Sequence, residues 1–565
     1  MQTALPMVND LMNGTWSLIE PLYQELESHR LTVENVAEWL SNWSQLSRLV
    51  SQVGSQLYIH TTTNTADEEA EKRYHNYLET IDPQVQIANQ RLTQKLLDSG
   101  LEPAGFELQV RNMRTKAEIF REANLPLFIA EEKLEADYNK ISGAQTVQWN
   151  GQEFTLSRLA PVYEDPDREK RERAWRLIAE RRLADRDRLN GLWSQFMDIR
   201  QQMAANVELD YRTFRWKQFL RFDYTPDDCK QFAQAIEEVI VPATRRLYDK
   251  RRQQLGLASL RPWDMNVDPL NRPPLHPFQT VDELEAKVAA IFAKMDPQLG
   301  AYFESMRREK LLDLENRKNK APGGYCIWSE METPFIFMNS VGTHNDIMTL
   351  VHESGHSFHN FETRHLPYYH QLRPGREFTE VASTAMELLT APYFAQEGSF
   401  YTPEEAARAQ VKYLESALIF WPYMARVDLF QHWLYENPHD GNDPAKCDEH
   451  WAALVDQFNP GVDWSGLEVY KMTGWQHTPR HVFLYPFYYV EYGLSSLGAF
   501  QIWRNSLRNP AEAIVSYRKA LSYGGTLPLR QLYETAGAKF AFDADTLREV
   551  VNVIEPTIAE LETSL

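Results

Sequence analysis

The sequence predicts a mainly α-helical protein, and three observations support that class. Apolar residues recur at intervals of three and four over residues 9–138, and long segments with similar spacing begin at Asp165 and Asp227. Strand signals are confined to one hairpin and a few short pieces. The chain has 565 residues, 43% of them hydrophobic, which suffices for a large core in one body or in several domains.

The N-terminal part of the chain, residues 9–138, is predicted to form an antiparallel helical lobe, because turn-forming sequences interrupt its helical pattern. The next element, residues 146–156, alternates around Asn150-Gly151. An Asn-Gly pair between alternating residues is a strong signal of a β-hairpin.

Two long helices are predicted to follow the hairpin. Residues 165–206 are rich in Arg, Glu and Asp, which is typical of a solvated helix face with pairs at i,i+4. Residues 227–255 have the pattern of a second long helix. We place the boundary between an N-terminal helical lobe, residues 1–185, and a second region with the candidate site, residues 186–565, within the first of these helices.

Composition restricts the classes of function. A formal net charge of -20 argues against nucleic acid as a partner, because a phosphate-binding face should be basic. The three cysteines, Cys229, Cys326 and Cys447, are widely spread, so neither a disulfide framework nor a cysteine metal site is implied. No run approaches 18 consecutive apolar residues, and no secretory signal is recognisable. We expect a soluble, cytoplasmic protein with no membrane partner.

The most informative stretch is the HExxH motif His352-Glu353-Ser354-Gly355-His356. Four residues are just over one helical turn, so the two histidines share a face of a helix. They can then bind one ion at about 2 Å each, with Glu353 beside the water of the ion rather than on the ion. This is the arrangement of a zinc hydrolase.

The sequence around the motif predicts a helix. Thr343 can form a capping box with Asp346, three residues on. Apolar residues then recur at helical spacing: Ile347, Leu350, Val351, Phe358 and Phe361. Gly355 costs such a helix about 1 kcal/mol relative to Ala, so we expect something to pack or bind very close to the backbone there.

A metal site of this type needs a third protein ligand and keeps a fourth position for water. The best candidate lies on the next predicted helix, which begins after Pro374-Gly375. Glu380 and Glu387 are seven residues apart and share a face of it, where a buried carboxylate is expensive unless it is paired or binds a metal. We predict that Glu380 is the third ligand and that Glu387 orients a ligand histidine.

Aromatic residues crowd the segment from His481 to Tyr492, which we name the tyrosine segment. Tyr485, Tyr488 and Tyr492 have helical spacing. Composition alone favours an aromatic stripe in the core, because buried aromatics dominate packing.

Three runs stand in a specific order and spacing: KNKAPGGYC at 318–326, PFIFMN at 334–339 and TLVHESGHSFH at 349–359. Together they resemble the zinc oligopeptidases of the oligoendopeptidase F and thimet oligopeptidase family, and the oligoendopeptidase F branch fits best. The resemblance implies that His352, His356 and Glu380 bind one Zn²⁺ ion and that Glu353 is the general base.

The resemblance also changes the interpretation of the tyrosine segment. Members of the family carry a histidine and tyrosines there that hydrogen-bond the substrate carbonyl oxygen and the tetrahedral intermediate. His481, Tyr485 and Tyr492 are therefore expected to be catalytic.

The resemblance further implies a large two-lobed helical body with a deep central channel and a small β-sheet near the active site. The β-prone pieces at 325–328 and 335–338 would supply that sheet. An open edge strand could pair with an extended peptide, although a hairpin that packs only its own core is the alternative.

The implied function is a zinc-dependent endopeptidase that hydrolyses short unstructured oligopeptides. Two alternatives stay open. A dipeptidyl carboxypeptidase of the same family would need a basic group to hold the terminal carboxylate of the substrate. A catalytically idle peptide-binding protein is disfavoured by the intact Glu353.

Overall fold

The computed structural model describes residues 4–328, 334–477 and 480–565. Over these residues the chain forms 24 α-helices and five short strands, joined by short 3₁₀ helices and one π-helical turn, Tyr77–Ile81. The helices before the hairpin are α1 Val8–Met12, α2 Glu20–Ser28, α3 Val36–Thr63, α4 Glu68–Asn76, α5 Asp82–Ser99, α6 Glu107–Ile119 and α7 Leu125–Gly143.

The middle of the chain contains all the strands of the described residues. Its elements are β1 Thr146–Trp149, β2 Gln152–Thr155, α8 Leu156–Leu159, α9 Arg168–Leu183, α10 Arg186–Ala205, α11 Tyr211–Gln218, α12 Pro226–Gln254, α13 Val281–Met295, α14 Pro297–Arg308, β3 Leu312–Glu315, β4 Tyr325–Ile327 and β5 Phe335–Ser340.

The rest of the chain is helical. Its helices are α15 His344–Thr363, α16 Arg376–Thr390, α17 Pro403–Glu436, α18 Pro444–Phe458, α19 Glu468–Met472, α20 His481–Leu484, α21 Tyr489–Ser506, α22 Pro510–Ser522, α23 Leu529–Thr535 and α24 Ala544–Glu562. The predicted mainly α class is confirmed, with two small sheets. No helix within the described ranges is long and apolar enough to cross a bilayer.

The hairpin forms as predicted, with Thr146 opposite Thr155 and a turn in which Asn150 and Gly151 both have positive φ. The single long helix predicted over residues 165–206 is wrong in one respect, because it divides into α9 and α10. At the break Asp185 turns inward and its carboxylate accepts hydrogen bonds from Gln145 (2.9 Å) and Arg181 (2.8 Å). A tertiary contact thus overrides the continuous helical pattern.

Buried side chains form two large hydrophobic cores, which give the two-lobed body. The first core runs from Leu11 to Met113 and joins helices α1 to α6. The second runs from Ile119 to Ile558 and contains the helices around the candidate site. The division into residues 1–185 and 186–565 stays a prediction.

The three-stranded sheet has the order β3-β5-β4, with β5 parallel to β3 and antiparallel to β4. The buried Lys320 ammonium donates to the backbone carbonyls of Asp313, Glu315 and Met338 at 2.6 to 2.9 Å, which fixes the preceding loop against the sheet. Strand β5 leads through Gly342, at φ 89°, directly into α15. The sheet therefore positions the start of the helix that carries the HExxH motif.

The end of α3, in the first core, is bonded to the loop that precedes β4. The backbone N–H of Ala321 donates to the Thr62 carbonyl at 2.9 Å, and that of Thr65 donates to the Asn319 carbonyl at 2.7 Å. The Thr62 hydroxyl also hydrogen-bonds the Tyr325 hydroxyl at 2.5 Å. The first lobe is thus attached to an edge of the site-bearing sheet.

Candidate metal centre

Helix α15 begins as the sequence predicts. The Asp346 carboxylate accepts hydrogen bonds from the backbone N–H groups of Thr343 at 2.7 Å and Val341 at 2.9 Å. The bond from Thr343 is the Asp346 half of the predicted capping box. One turn apart on the same face of α15, the rings of His352 and His356 have centroids 5.1 Å apart.

Glu380 of α16 completes a group of three possible metal ligands. Its Oε2 lies 3.6 Å from Nε2 of His352 and 3.8 Å from Nε2 of His356. These distances are too long for hydrogen bonds. A tetrahedral zinc ion with bonds of about 2.0 to 2.1 Å has ligand atoms about 3.3 Å apart. The three atoms, all within 4.8 Å of one another, are therefore close to the spacing that zinc requires.

Gly355 allows α15 and α16 to approach this closely. A Cβ at this position would lie 2.5 Å from the carbonyl oxygen of Ala382 and 2.6 Å from Cα of Ser383. Only glycine leaves room for that backbone contact. The close approach predicted at Gly355 is confirmed, and it carries Glu380 towards the two histidines.

Glu387 orients one of the candidate ligands. Its Oε1 lies 2.6 Å from Nδ1 of His352, as the sequence predicts for a supporting carboxylate. This hydrogen bond leaves Nε2 of the ring free to face Glu380. Sequence reasoning missed the next residue, Tyr413 of α17, which lies close enough to the Glu387 carboxylate to feel its charge. Burial and that carboxylate raise the pKa of Tyr413 well above its usual value.

The charge at the centre favours a cation. Burial lowers the pKa of His352, but the hydrogen bond and charge of Glu387, together with the charges of Glu353 and Glu380, outweigh burial and raise this pKa to about 9. The carboxylates that draw a proton to this point would also attract a divalent ion. By ligand type, spacing and charge, His352, His356 and Glu380 fit one zinc ion.

Glu353 lies beside this group and is only 9% exposed. Burial raises its pKa to about 7, and the nearby Glu380 carboxylate adds to the rise while His352 and the backbone N–H of Cys326 reduce it. Glu353 is not one of the three atoms that converge on the candidate ion position. It is a carboxyl group that can exchange a proton near neutral pH.

The tyrosine segment is not the continuous helix face that its spacing suggests. Helix α20 ends at Leu484 and α21 begins at Tyr489, with an irregular turn between them. Pro486 has no N–H and disfavours helical geometry in the residue before it, and Tyr485 is accordingly non-helical at φ -138°, ψ 66°. Phe487 follows at φ 64°, an uncommon conformation for a residue with a side chain.

Buried polar contacts hold this turn in place. The Phe487 backbone N–H donates to Oε1 of Gln431 at 2.7 Å, and its carbonyl accepts from Arg221 at 2.8 Å. The same guanidinium donates to the Glu491 carboxylate at 2.6 Å. Gln431 lies on α17 and Glu491 on α21, so the turn is fixed from several sides.

The turn brings the four polar aromatic residues together. The His481 ring centroid lies 5.6 to 5.9 Å from those of Tyr485, Tyr488 and Tyr492, and the Tyr488 and Tyr492 centroids are 5.3 Å apart. Burial raises the pKa of Tyr492 to about 12, and the Glu380 carboxylate contributes to the rise. Burial and Glu380 likewise raise the pKa of Tyr488.

The charge of the Glu380 carboxylate therefore acts on two tyrosines, Tyr488 and Tyr492. Tyr492 is one of the three residues of this segment that are expected to be catalytic, whereas Tyr488 is not among them. Tyr485 is 51% exposed and lies at the outer side of the group. The roles of His481, Tyr485 and Tyr492 stay predictions.

The fold and the site define a class of protein, a two-lobed helical body with an HExxH helix packed against a glutamate-bearing helix. Residues 162–551 match the family model described as Peptidase family M3, and residues 15–113 match that of the Peptidase M3 N-terminal domain. The chain belongs to peptidase family M3.

Individual relatives agree with this membership. An oligoendopeptidase F homolog of Borreliella burgdorferi is 22% identical over 348 residues, which are 59% of this chain and 56% of the relative. The oligopeptidase PepF of Bacillus subtilis is 36% identical over 104 residues, 17% of this chain and 15% of that protein. The matches thus span about half or less of these curated relatives.

A solved structure covers the whole fold. The structure described as PZ peptidase A with inhibitor 2 is 26% identical, with a TM-score of 0.85 over 100% of this chain and 99% of the other. Both lobes of the present fold are therefore represented in that peptidase.

Proposed function

We propose that this protein is a zinc-dependent endopeptidase that hydrolyses short unstructured oligopeptides. The observation that carries the proposal is the convergence of His352, His356 and Glu380 on one point, with the buried Glu353 beside it. Membership of a peptidase family supplies the reaction class.

The chemistry follows from the side chains around that point. A zinc ion held by the three ligands would polarise the scissile carbonyl and lower the pKa of an attacking water. Glu353 accepts the proton of that water and passes it to the leaving amine, a role that suits its raised pKa. The hydroxyl of Tyr492, assisted by Tyr488, Tyr485 or His481, donates a hydrogen bond to the oxyanion.

Strand β4 is the proposed binding edge for the peptide. In the part of the chain that the structure describes, β4 pairs with β5 on one side only. An extended peptide can add to such an edge through backbone hydrogen bonds, with little dependence on its side chains. Next to β4, Gly323 has open space where a Cβ would stand, so a substrate backbone can approach it.

The proposed deep channel between the lobes limits substrates to flexible peptides, since a folded protein cannot reach its base. Oligopeptides are the partners, and we propose the cytoplasm as the location. The three cysteines, all unpaired, suit a reducing compartment.

The test is mass spectrometry of the products from a mixed library of peptides of about one to two dozen residues, together with one stable folded protein. We expect internal cleavage of the peptides and survival of the folded protein. Each peptide is supplied with a free and an amidated C-terminus, and Glu353→Gln is the matched inactive control. Removal of dipeptides only, and only from free C-termini, would identify the carboxypeptidase alternative instead.

A further inference from the structure

A second group of possible metal ligands lies away from the candidate metal centre. It consists of Cys229 on α12 and of Asp428 and His432 on α17, which we name the buried triad. The thiol sulfur, a carboxylate oxygen and an imidazole nitrogen all lie within 4.8 Å of one another. Each of the three residues is only 1% exposed. The triad shares no residue with the site already described.

The polar atoms of the triad lack the hydrogen bonds that buried groups normally have. Nε2 of His432 lies 3.3 Å from Oδ2 of Asp428, yet the pair does not have hydrogen-bond geometry. Within the described ranges, neither ring nitrogen of His432 nor Oδ1 of Asp428 has a hydrogen-bond partner. Such orphaned atoms in a core call for an explanation, and an ion bound between the residues would satisfy one ring nitrogen of His432 and one oxygen of Asp428.

The donor atoms suit zinc. Thiolate, imidazole and carboxylate are its three common protein ligands, and the 3.3 Å separation matches the spacing of about 3.3 Å between ligands of a tetrahedral ion. A divalent cation would also balance the charges of one thiolate and one carboxylate in a medium where unpaired charge is costly. We propose that Cys229, Asp428 and His432 bind a second zinc ion, with the fourth position left to water.

The position of the triad gives this ion a role. The His432 ring packs against Phe487, with centroids 5.1 Å apart, and against Trp216 at 5.7 Å. Phe487 is the residue of positive φ in the turn of the tyrosine segment. An ion that joins α12 to α17 here would fix the surface on which that turn rests.

Metal analysis tests the proposal without reference to catalysis. The parent protein, expressed with added zinc, should contain about two zinc ions per chain by elemental mass spectrometry. The variant with both His352→Ala and His356→Ala should keep about one, and adding Cys229→Ala should remove it. Cys447→Ala, which removes another buried thiol, is the matched control and should keep the ion. A folded double-histidine variant without zinc would overturn the proposal.

Cobalt provides a second, independent measurement, because only the triad has sulfur among its ligands. Protein loaded with Co²⁺ should show a thiolate-to-cobalt charge-transfer band in the near ultraviolet, and Cys229→Ser should lose it. Cys326→Ser should keep the band, although Cys326 lies beside the HExxH helix with its sulfur 3.3 Å from Oγ of Ser357. Cobalt binding without the band, or a band that depends on Cys326, would contradict the triad. The first of these outcomes would leave the proposed peptidase site untouched.

Discussion

The candidate metal centre and the tyrosine segment are held in place by different means. His352, His356 and Glu380 project from two regular helices whose backbones touch at Gly355. The tyrosines stand on either side of a break in a helix, and the turn at Phe487 depends on a hydrogen bond donated to Gln431 and one accepted from Arg221. The proposed ligands are thus fixed by helical pitch, whereas the proposed oxyanion donors are fixed by distant side chains. Mutations in the two regions should therefore have different signatures.

The largest effect should come from a metal ligand. His356→Ala should lose the ion and, with it, several kcal/mol of charge stabilisation, so that kcat/KM falls by about 10³-fold or more. Metal content and peptide cleavage are measured together. His439→Ala, at a fully solvated histidine, should change neither. If the His356→Ala variant still bound one ion per chain, His356 would not be a ligand and the proposed metal centre would be wrong.

Glu353→Gln should separate the base from the ion. The substitution removes a proton acceptor without touching a ligand, so the metal content should stay at the parent level while kcat falls by about 10² to 10⁴-fold. Turnover equal to that of the parent would assign the general base to another residue.

Substitutions in the tyrosine segment should lower kcat and leave substrate binding nearly unchanged. Tyr492→Phe keeps the apolar area but removes the hydroxyl, and an oxyanion donor is worth about 10² to 10³ in kcat, or about 2.7 to 4 kcal/mol. Tyr488→Phe should show a comparable loss, whereas the half-exposed Tyr485 should show a smaller one. Non-additive losses are expected if two hydroxyls serve one oxygen. If all three variants had the kcat and the melting temperature of the parent, the tyrosine segment would have a packing role only.

Glu387→Ala should weaken metal affinity by about 10 to 100-fold without abolishing binding, because Glu387 hydrogen-bonds His352 and is not one of the three proposed ligands. Competition with a chelator measures the affinity. Glu380→Ala, measured alongside it, should cause the larger loss. The reverse order would mean that the two glutamates exchange roles.

The smallest expected effect is a decrease in the free energy of unfolding. Gly355→Ala forces a methyl group to 2.5 Å from the Ala382 carbonyl, and overpacking of this kind costs about 1 to 3 kcal/mol. The midpoint of chemical unfolding should fall. Gly191→Ala is the matched control, since this helical glycine of α10 has open space at its Cβ position and should be neutral or slightly stabilising. Equal midpoints for both variants would show that α15 and α16 separate without cost.

The sequence predicted what depends on local spacing. His352 and His356, four residues apart, and Glu380 and Glu387, seven apart, occupy the helix faces that simple periodicity assigns. The cap at Asp346 and the close approach at Gly355 were likewise readable from neighbouring residues.

What depends on contacts between distant segments could not be predicted. Periodicity alone placed Tyr485, Tyr488 and Tyr492 on one helix face, whereas Pro486 ends the helix and the turn takes its shape from Arg221, more than 260 residues earlier. Tyr413 has no spacing that relates it to Glu387. The buried triad could not be predicted for the same reason. Cys229 lies about 200 residues before Asp428 and His432 in the sequence, and only the packing of α12 against α17 brings the three together.

The contact between α3 and the loop before β4 sets a limit on how this chain can be shortened. A truncated chain that starts at residue 162 would retain every proposed ligand, base and oxyanion donor. It would nevertheless expose the backbone groups of Asn319 and Ala321 that Thr65 and Thr62 now pair, and leave the Tyr325 hydroxyl without its partner. The proposed peptide-binding edge therefore depends on both the N-terminal lobe and the middle of the chain. Grafting the motif-bearing half onto another protein would transfer the proposed ligands without the N-terminal contacts that support this edge.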